Sequence, residues 1–386
     1  MEMEQSSGSD HHPAPFFPWD LLPFALQESI LSLLPVSTLA LCQSVSRSWR
    51  STIRSPTFLS SLRPRRRHAD DLYLILFTDN FSRAAAYRPS GDRWLTLALP
   101  PSLFSPLASA GGLVVAEDDC GRLAVYDLFS GASLALLPNM ASVLQPYALA
   151  LIDEFPWPHY TIVAVSTGDR VYSQVFDSRS GRWELKGQFP GRFAVLGNAV
   201  LLDGLLLVLS QGPDHLLTFD PIGGEWNLID VAMPPVVCSH IFDFENCLFL
   251  VGGVEEVGCM ARVGIWELDW PKKEWRLICF MPDGFFRKFG GRRLDHFETV
   301  ARRGIVCFYN TLDATVLMFD LPARRWWWPP PCDVITRSRM FWFGHAIEPR
   351  IDLLKGSNGR FPCHKLFGLG QCFTRAKENF VVPYCT

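Results

Sequence analysis

The sequence predicts two unlike parts in one chain: a small all-α module of three helices, followed by an all-β propeller of six blades. Three observations lead there. Leucine and isoleucine recur at helical spacing between Leu22 and Phe58. From Leu72 onward that period gives way to short apolar runs punctuated by Gly, Pro and Asp. Those runs then repeat about every 40–50 residues. With 386 residues, 48% of them hydrophobic and 13% aromatic, the chain can fill one small and one large core.

In the helical part, Leu26, Ile30 and Leu34 stand at i, i+4 and i+8, with Leu31 and Leu33 widening the stripe, so the spacing predicts one amphipathic helix from Phe24 to Leu34. Pro35 ends it, because proline lacks the amide and clashes with the preceding turn. Ser37 is placed to cap a second helix carrying Leu39, Cys42, Val45 and Trp49 on one face. Ser55 before Pro56 starts a short third helix through Phe58 and Leu62. Three such helices carry more apolar surface than they can hide from one another, and a segment of this length rarely folds alone.

The series Leu22-Pro23, Leu26, Ile30-Leu31, Leu34-Pro35, Leu39, Val45, Trp49, Ile53, Pro56 and Phe58 resembles the F-box, the three-helix module that docks on a Skp1-type adaptor. The paired Leu-Pro dipeptides, the tryptophan and the final Pro-x-Phe fall in register together. The acidic residues usual after the first Leu-Pro are Phe24 and Ala25 here, and the usual Cys-Lys before the tryptophan is Ser46-Arg47. The resemblance implies adaptor contact by Leu22, Pro23, Leu26, Ile30, Leu31, Leu34, Pro35, Leu39, Val45 and Trp49. Some of these must instead form the module's own core, and the spacing does not divide them.

Past Leu72 a common grammar emerges: an aromatic residue, often an Asp, a turn with Gly or basic residues, a Trp, a short strand and a Pro. It is read in segments beginning at Tyr87, Val125, Val175, Thr218, Ile265 and Met318. Trp183, Trp226, Trp275 and Trp327 recur at intervals of about 43, 49 and 52 residues, and Ser133 holds the place of the missing tryptophan between Trp94 and Trp183. An apolar strand precedes each unit: 72–77, 113–115, 161–165, 205–209, 248–251 and 305–309. Units of this length with several strands are propeller blades, which bury their faces only by stacking on one another. The six units resemble degenerate kelch repeats, with Gly252-Gly253 after 248–251 the best match to the family's glycine pair. A ring must close or leave exposed sheet edges, so the segment from Phe341 to Leu354 is expected to complete the first or the last blade. The same segment also resembles the closing piece of plant proteins that join an F-box to kelch repeats.

The expected organisation is therefore a disordered 1–17, the F-box at 18–62, a basic linker at 63–71, the propeller at 72–354 and a flexible tail at 355–386. Arg63, Arg65, Arg66 and Arg67 read either as a nuclear-import patch or as a solvated hinge. The N-terminus is polar and acidic where a secretory signal needs an apolar core, and no run of about 18 apolar residues exists. Nuclear and/or cytoplasmic location is expected, with no membrane. A net charge of −3 gives no field for direct nucleic-acid binding. Eleven cysteines at irregular spacing, without a C-x-x-C, read as free thiols in a reducing compartment; Cys363, His364 and Cys372 in the tail come nearest to a metal set and fall short of one.

Catalytic signals are absent from the sequence: no Gly-x-Ser-x-Gly, no phosphate loop and no His-Glu-x-x-His. His159, His215, His240, His296 and His345 fall in different repeats, so only ring closure could gather them. No cofactor or metal is expected. The segment from Phe285 to Phe297 reads as a long inter-blade loop mixing Arg287, Lys288, Arg292 and Arg293 with phenylalanines. With Trp326 and Trp328 it is the candidate target-binding surface; the alternatives are a solvated loop and core tryptophans. What the F-box/kelch resemblance implies is a non-catalytic receptor subunit of an SCF (Skp1–cullin–F-box) ubiquitin ligase. It would bind a Skp1-type adaptor, through it a cullin, and an unidentified protein target. The alternative is a non-proteolytic scaffold or transcriptional co-regulator.

Overall fold

The computed structural model describes residues 19–62, 71–78, 83–103, 105–118, 120–140, 148–153, 159–167, 170–191, 193, 195–211, 214–294, 296–334 and 341–351. The readings of 1–17, of the cations between Arg63 and Arg67, and of the tail with Cys363, His364 and Cys372 lie outside these residues. Among the described residues no helix is long and apolar enough to cross a membrane.

A single 3-10 turn at Trp19–Leu21 leads into α1 (Phe24–Ser32), α2 (Val36–Val45), α3 (Arg47–Ile53) and α4 (Pro56–Leu62). The expected second helix is thus two helices. Ser46 adopts an extended conformation between them, and its Oγ accepts the Trp49 amide at 3.1 Å, capping α3. Ser37 is buried inside α2 and caps nothing; Pro35 takes the cap position without a side-chain acceptor. The acceptor comes from far along the chain, as the Val36 amide donates to Asp71 Oδ1 at 2.8 Å. Ser55 Oγ accepts the Phe58 amide at the start of α4.

Six four-stranded antiparallel sheets follow. The first blade holds β1 (Tyr73–Thr78), β2 (Arg83–Arg88) and β3 (Arg93–Ala98). The second holds β4 (Ser105–Ala110), β5 (Leu113–Glu117), β6 (Leu123–Asp127) and β7 (Ala132–Leu136). The third holds β8 (Ala148–Asp153), β9 (Tyr160–Thr167), β10 (Val171–Asp177) and β11 (Arg182–Phe189). The fourth holds β12 (Val195–Leu202), β13 (Leu205–Gln211), β14 (His215–Phe219) and β15 (Trp226–Ile229). The fifth holds β16 (Val237–Phe244), β17 (Cys247–Glu256), β18 (Cys259–Asp269) and β19 (Glu274–Phe280). A helix, α5 (Asp283–Phe289), precedes the sixth: β20 (Phe297–Arg302), β21 (Ile305–Asn310), β22 (Val316–Asp320) and β23 (Arg325–Trp327).

The last strand, β24 (Phe341–Ile347), pairs antiparallel with β1 from Tyr73↔Ile347 to Thr78↔Phe341. It completes the first blade, so the ring is closed by hydrogen bonds between the two ends of the propeller sequence. The innermost strands β24, β4, β8, β12, β16 and β20 touch in turn around the axis.

The repeated grammar has a local physical cause. In the first, third and fourth blades the aromatic of the third strand faces the fourth-strand tryptophan across the hairpin, Tyr87↔Trp94, Phe176↔Trp183 and Phe219↔Trp226, while Ser133 stands opposite Tyr126 in the second and Leu268 faces Trp275 in the fifth. The sixth blade pairs Phe319 with Trp326, so Trp326 rather than Trp327 holds the repeat position. Asp127, Asp177, Asp220, Asp269 and Asp320 each accept a backbone amide two or three residues on, tying the turn. Two residues before each of these fourth-strand positions the backbone is left-handed, at Asp92, Gly131, Gly181, Gly224, Lys273 and Arg324. Gly224 is also hemmed in: a Cβ there would lie 1.8 Å from the Lys186 carbonyl oxygen of the neighbouring blade.

Six apolar clusters fill the six gaps between consecutive blades. The cluster between the first and second blades also takes in Leu31, Val36, Leu39, Ile53, Phe58 and Leu62 of the helices. Helices and propeller therefore share one core. The Asp71 bond and the Tyr73–Phe129 edge-to-face pair, with ring centroids 5.2 Å apart, lie at this joint.

Candidate functional site

The shared core divides the residues that the sequence could not. Leu31 and Leu39 are buried, at 1% and 0% exposure, and pack inward, so the structure removes them from the adaptor-contact set. Leu22, Leu34, Pro35 and Trp49 are half-buried, and Trp49 packs on Trp19 with ring centroids 4.7 Å apart. Pro23, Leu26, Ile30 and Val45 are exposed. Leu21, Phe24 and Leu33, not among the expected contacts, join them at 57–74% exposure. Leu26, Ile30 and Leu33 stand at i, i+4 and i+7, one turn-by-turn row on α1; the row through Leu34 mixes this face with the buried one. The helices thus leave a set of apolar side chains in solvent on the side not packed into the shared core.

A second surface lies at the opposite end of the molecule. The helices sit where β24 ends and β1 begins, whereas α5 joins the end of β19 to the start of β20, and the blades repeat one strand order. The segment expected to be a loop is helical because Asp283 lies in its first turn and Arg287 and Lys288 in its last, both favoured by the helix dipole. Phe286 and Phe289, three apart, are buried between the fifth and sixth blades. Arg287, Lys288 and Arg293 are exposed, and the Arg292 side chain lies outside the described atoms.

The structure brings this helix to the tryptophans. Lys288 Nζ sits 4.4 Å from the Trp328 ring centroid, and Phe285 stacks on Trp328 at 5.7 Å. Trp326 contacts Phe319 and Phe308 at 4.4 and 5.3 Å, and like Trp328 it is half-buried against the cluster between the fifth and sixth blades. Trp327 faces the first blade, its Nε1 donating to Tyr87 Oη at 3.0 Å. Of the residues expected to bind a target, Arg287, Lys288 and Arg293 are exposed, and Trp326 and Trp328 are half-buried against Phe285 of the same helix.

A channel of about 1040 Å³ runs along the axis, lined by the innermost strands. His240, His296 and His345 line it; His159, ahead of β9, and His215, on β14, do not. At the end near the helices, Arg350, 2% exposed, pairs with Asp153 at 2.7 Å, and Glu348 accepts from Arg302 and Arg303. At the other end Cys238 Sγ lies 3.3 Å from His296 Nδ1, His296 Nε2 lies 2.9 Å from Glu298 Oε1, and His240 Nε2 lies 3.4 Å from Glu298 Oε2.

The contacts with Cys238 and then Glu298 raise His296 to about 10. Burial lowers His240, and burial also lowers His345 to about 4. Burial pushes the Glu298 carboxyl up, but the hydrogen bond from His296 and the charge of both imidazoles outweigh it and hold the carboxyl below its usual range. Among the described residues no three His, Cys, Asp or Glu side chains are placed to hold a metal ion.

Comparison with known proteins matches the F-box domain family over residues 19–61. The chain is 27% identical to an F-box/kelch-repeat protein of Arabidopsis thaliana over 345 residues, 81% of this chain and 82% of that one. It is 24% identical to F-box only protein 6 of Arabidopsis thaliana, over 86% of this chain and 74% of that one. It is 23% identical to the Arabidopsis thaliana protein UNUSUAL FLORAL ORGANS, over 81% and 79%. Among solved structures, an oligogalacturonate lyase in complex with manganese overlays with a TM-score of 0.43 at 12% identity, covering 68% of this chain and 80% of that one.

Proposed function

We propose that this chain, an F-box protein of the F-box/kelch-repeat kind, is the substrate receptor of an SCF-type ubiquitin ligase. The observation that carries the reading is the unpartnered apolar face of Leu21, Phe24, Leu26, Ile30, Leu33 and Val45 on helices whose other side is fused to the propeller. Apolar side chains left in water on a packed helical unit mark a docking surface, and the F-box match favours a Skp1-type adaptor as its occupant. A cullin would join through that adaptor.

The mechanism is proximity. The chain contributes no bond-making group to ubiquitin transfer; it holds the target at a high effective concentration near the bound transfer machinery. Because helices and propeller share a core, the target face is held at a fixed distance and angle from the adaptor face. The target surface in this reading is the far end of the propeller, where Arg287, Lys288, Arg293 and Trp328 favour an acidic partner.

Co-precipitation with a Skp1-type adaptor tests the reading. Leu26→Glu combined with Ile30→Glu should abolish capture while leaving the fold intact, since both side chains are exposed. Failure of the unaltered chain to bind any such adaptor would end it and leave the non-proteolytic scaffold.

A further inference from the structure

The cluster at the far mouth of the channel is absorbed by neither docking face. Cys238 and His240 lie on β16 of the fifth blade, and His296 and Glu298 lie at and just before the start of β20 of the sixth. Ring closure thus sets a thiol, an imidazole and a carboxylate in series, at 3.3 and 2.9 Å, with both imidazole nitrogens engaged. The other oxygen of Glu298 lies 3.4 Å from His240 Nε2. This is the order of groups that activates a nucleophile: the base touches the nucleophile, and a carboxylate orients the base and steadies its charged form.

We propose that Cys238 is a reactive thiol that exchanges with low-molecular-weight disulfides of the glutathione-disulfide class, making the channel mouth a site of reversible S-thiolation. In this pair the proton given up by Cys238 rests on His296 Nδ1 before the disulfide arrives, and Glu298 Oε1 accepts from Nε2–H of the imidazolium. The Cys238 sulfur attacks one sulfur of the disulfide; the protein–ligand S–S bond forms as the ligand's own S–S bond breaks. The second half leaves as a thiolate and takes the proton back from His296. Protein thiol and disulfide become mixed disulfide and free thiol, with the small disulfide as oxidant, and excess free thiol reverses the step.

Two features of the surroundings fit. Cys238 is half-exposed on a channel of about 1040 Å³, so an adduct has room. The other described cysteines offer contrasts: Cys42, Cys307 and Cys332 are buried, burial raises the Cys247 and Cys279 thiols, and Cys120 and Cys259 are exposed. The site lies at the end of the propeller away from the helices, so its modification leaves the adaptor face untouched.

The test is a time course of the purified full chain with oxidised glutathione, reading each cysteine by peptide mass spectrometry. Cys238 is expected to be modified at least tenfold faster than Cys120 and Cys259, and to lose less of its rate on acidification than they do. His296→Gln should bring its rate and pH profile down to theirs, and Glu298→Gln should slow it severalfold. The rates at Cys120, Cys259 and buried Cys307 report whether each variant is still folded. Equal rates at Cys238, Cys120 and Cys259 in the unaltered chain would overturn the proposal without any variant. So would an unchanged Cys238 rate in a folded His296→Gln.

Discussion

His345 sits on β24 in the channel wall, its ring packed edge-on to Phe77 at 5.7 Å. Burial costs it the proton: the folded chain holds it near 4, against an ordinary value of 6.5. The unfolded chain therefore takes up a proton from pH 6.5 downward that the folded chain refuses until about 4. Stability is full above 6.5 and falls as pH drops through that window. His240, lowered for the same reason, adds with the same sign. His296 is raised, so its contribution is fully present throughout this window and is lost only as pH climbs toward about 10. Urea denaturation followed between pH 7 and 4.5 should show a steady loss of stability, and His345→Gln should flatten the part due to this residue. A variant as acid-sensitive as the parent would refute the assignment to His345.

At the scale of the element, two of the fourth-strand tryptophans tie the repeat's Trp to the trailing Pro of the preceding unit, while Trp275 Nε1 is buried without such a bond. Trp183 Nε1 donates at 2.9 Å to the carbonyl of Pro138, the proline that ends the preceding blade's unit. Trp94 does the same at 2.8 Å to Pro330, at the end of the sixth blade's unit, which stitches the ring across its closure. Trp226 reaches the preceding blade through Ser173 Oγ at 3.0 Å. Each of these rings thus fills an interface and its N–H satisfies a group on the neighbour. Trp183→Phe keeps most of the packing and removes the bond. It should cost about 1 kcal/mol in urea unfolding, whereas Trp183→Ala, which also removes the half-buried ring, should cost about 2–3 kcal/mol. Equal losses in the two variants would mean the hydrogen bond, not the packing, dominates at this seam.

Across the whole molecule the consequential fact is that the core of the helical module runs on into the propeller. Its inward side chains belong to the cluster that also holds Tyr73, Phe129 and Ile347 of the propeller. Helices and blades should therefore unfold in one cooperative step, with far-UV circular dichroism and tryptophan fluorescence giving the same midpoint. Phe129, 3% exposed, lies at the joint. Phe129→Ala should lower stability by about 3–5 kcal/mol and part the two signals, the helical one melting first. Two separate transitions in the unaltered chain would show the joint to be a hinge instead.

Legibility followed burial. The second strand of each blade is covered on both faces, as in β1, where every residue is buried, so it reads as a continuous apolar run. The innermost strands face the channel on one side; β4, with the sequence SPLASA, carries small residues and gives almost no strand signal. Helix α5 spans seven residues, too few for its period to stand out beside its cations. The local grammar of aromatic, Asp, left-handed turn and Trp was written in the chain because a hairpin is a local object, so the sequence by itself determined the blades, their number and the helical module before them. Tertiary structure alone decided which leucines of that module turn inward. Leu31 and Ile30 are neighbours of equal hydrophobicity, and only the propeller's position buries one and exposes the other. It alone also brought Cys238 to His296, since residues on different blades meet only when the ring is closed and no spacing along the chain encodes that approach.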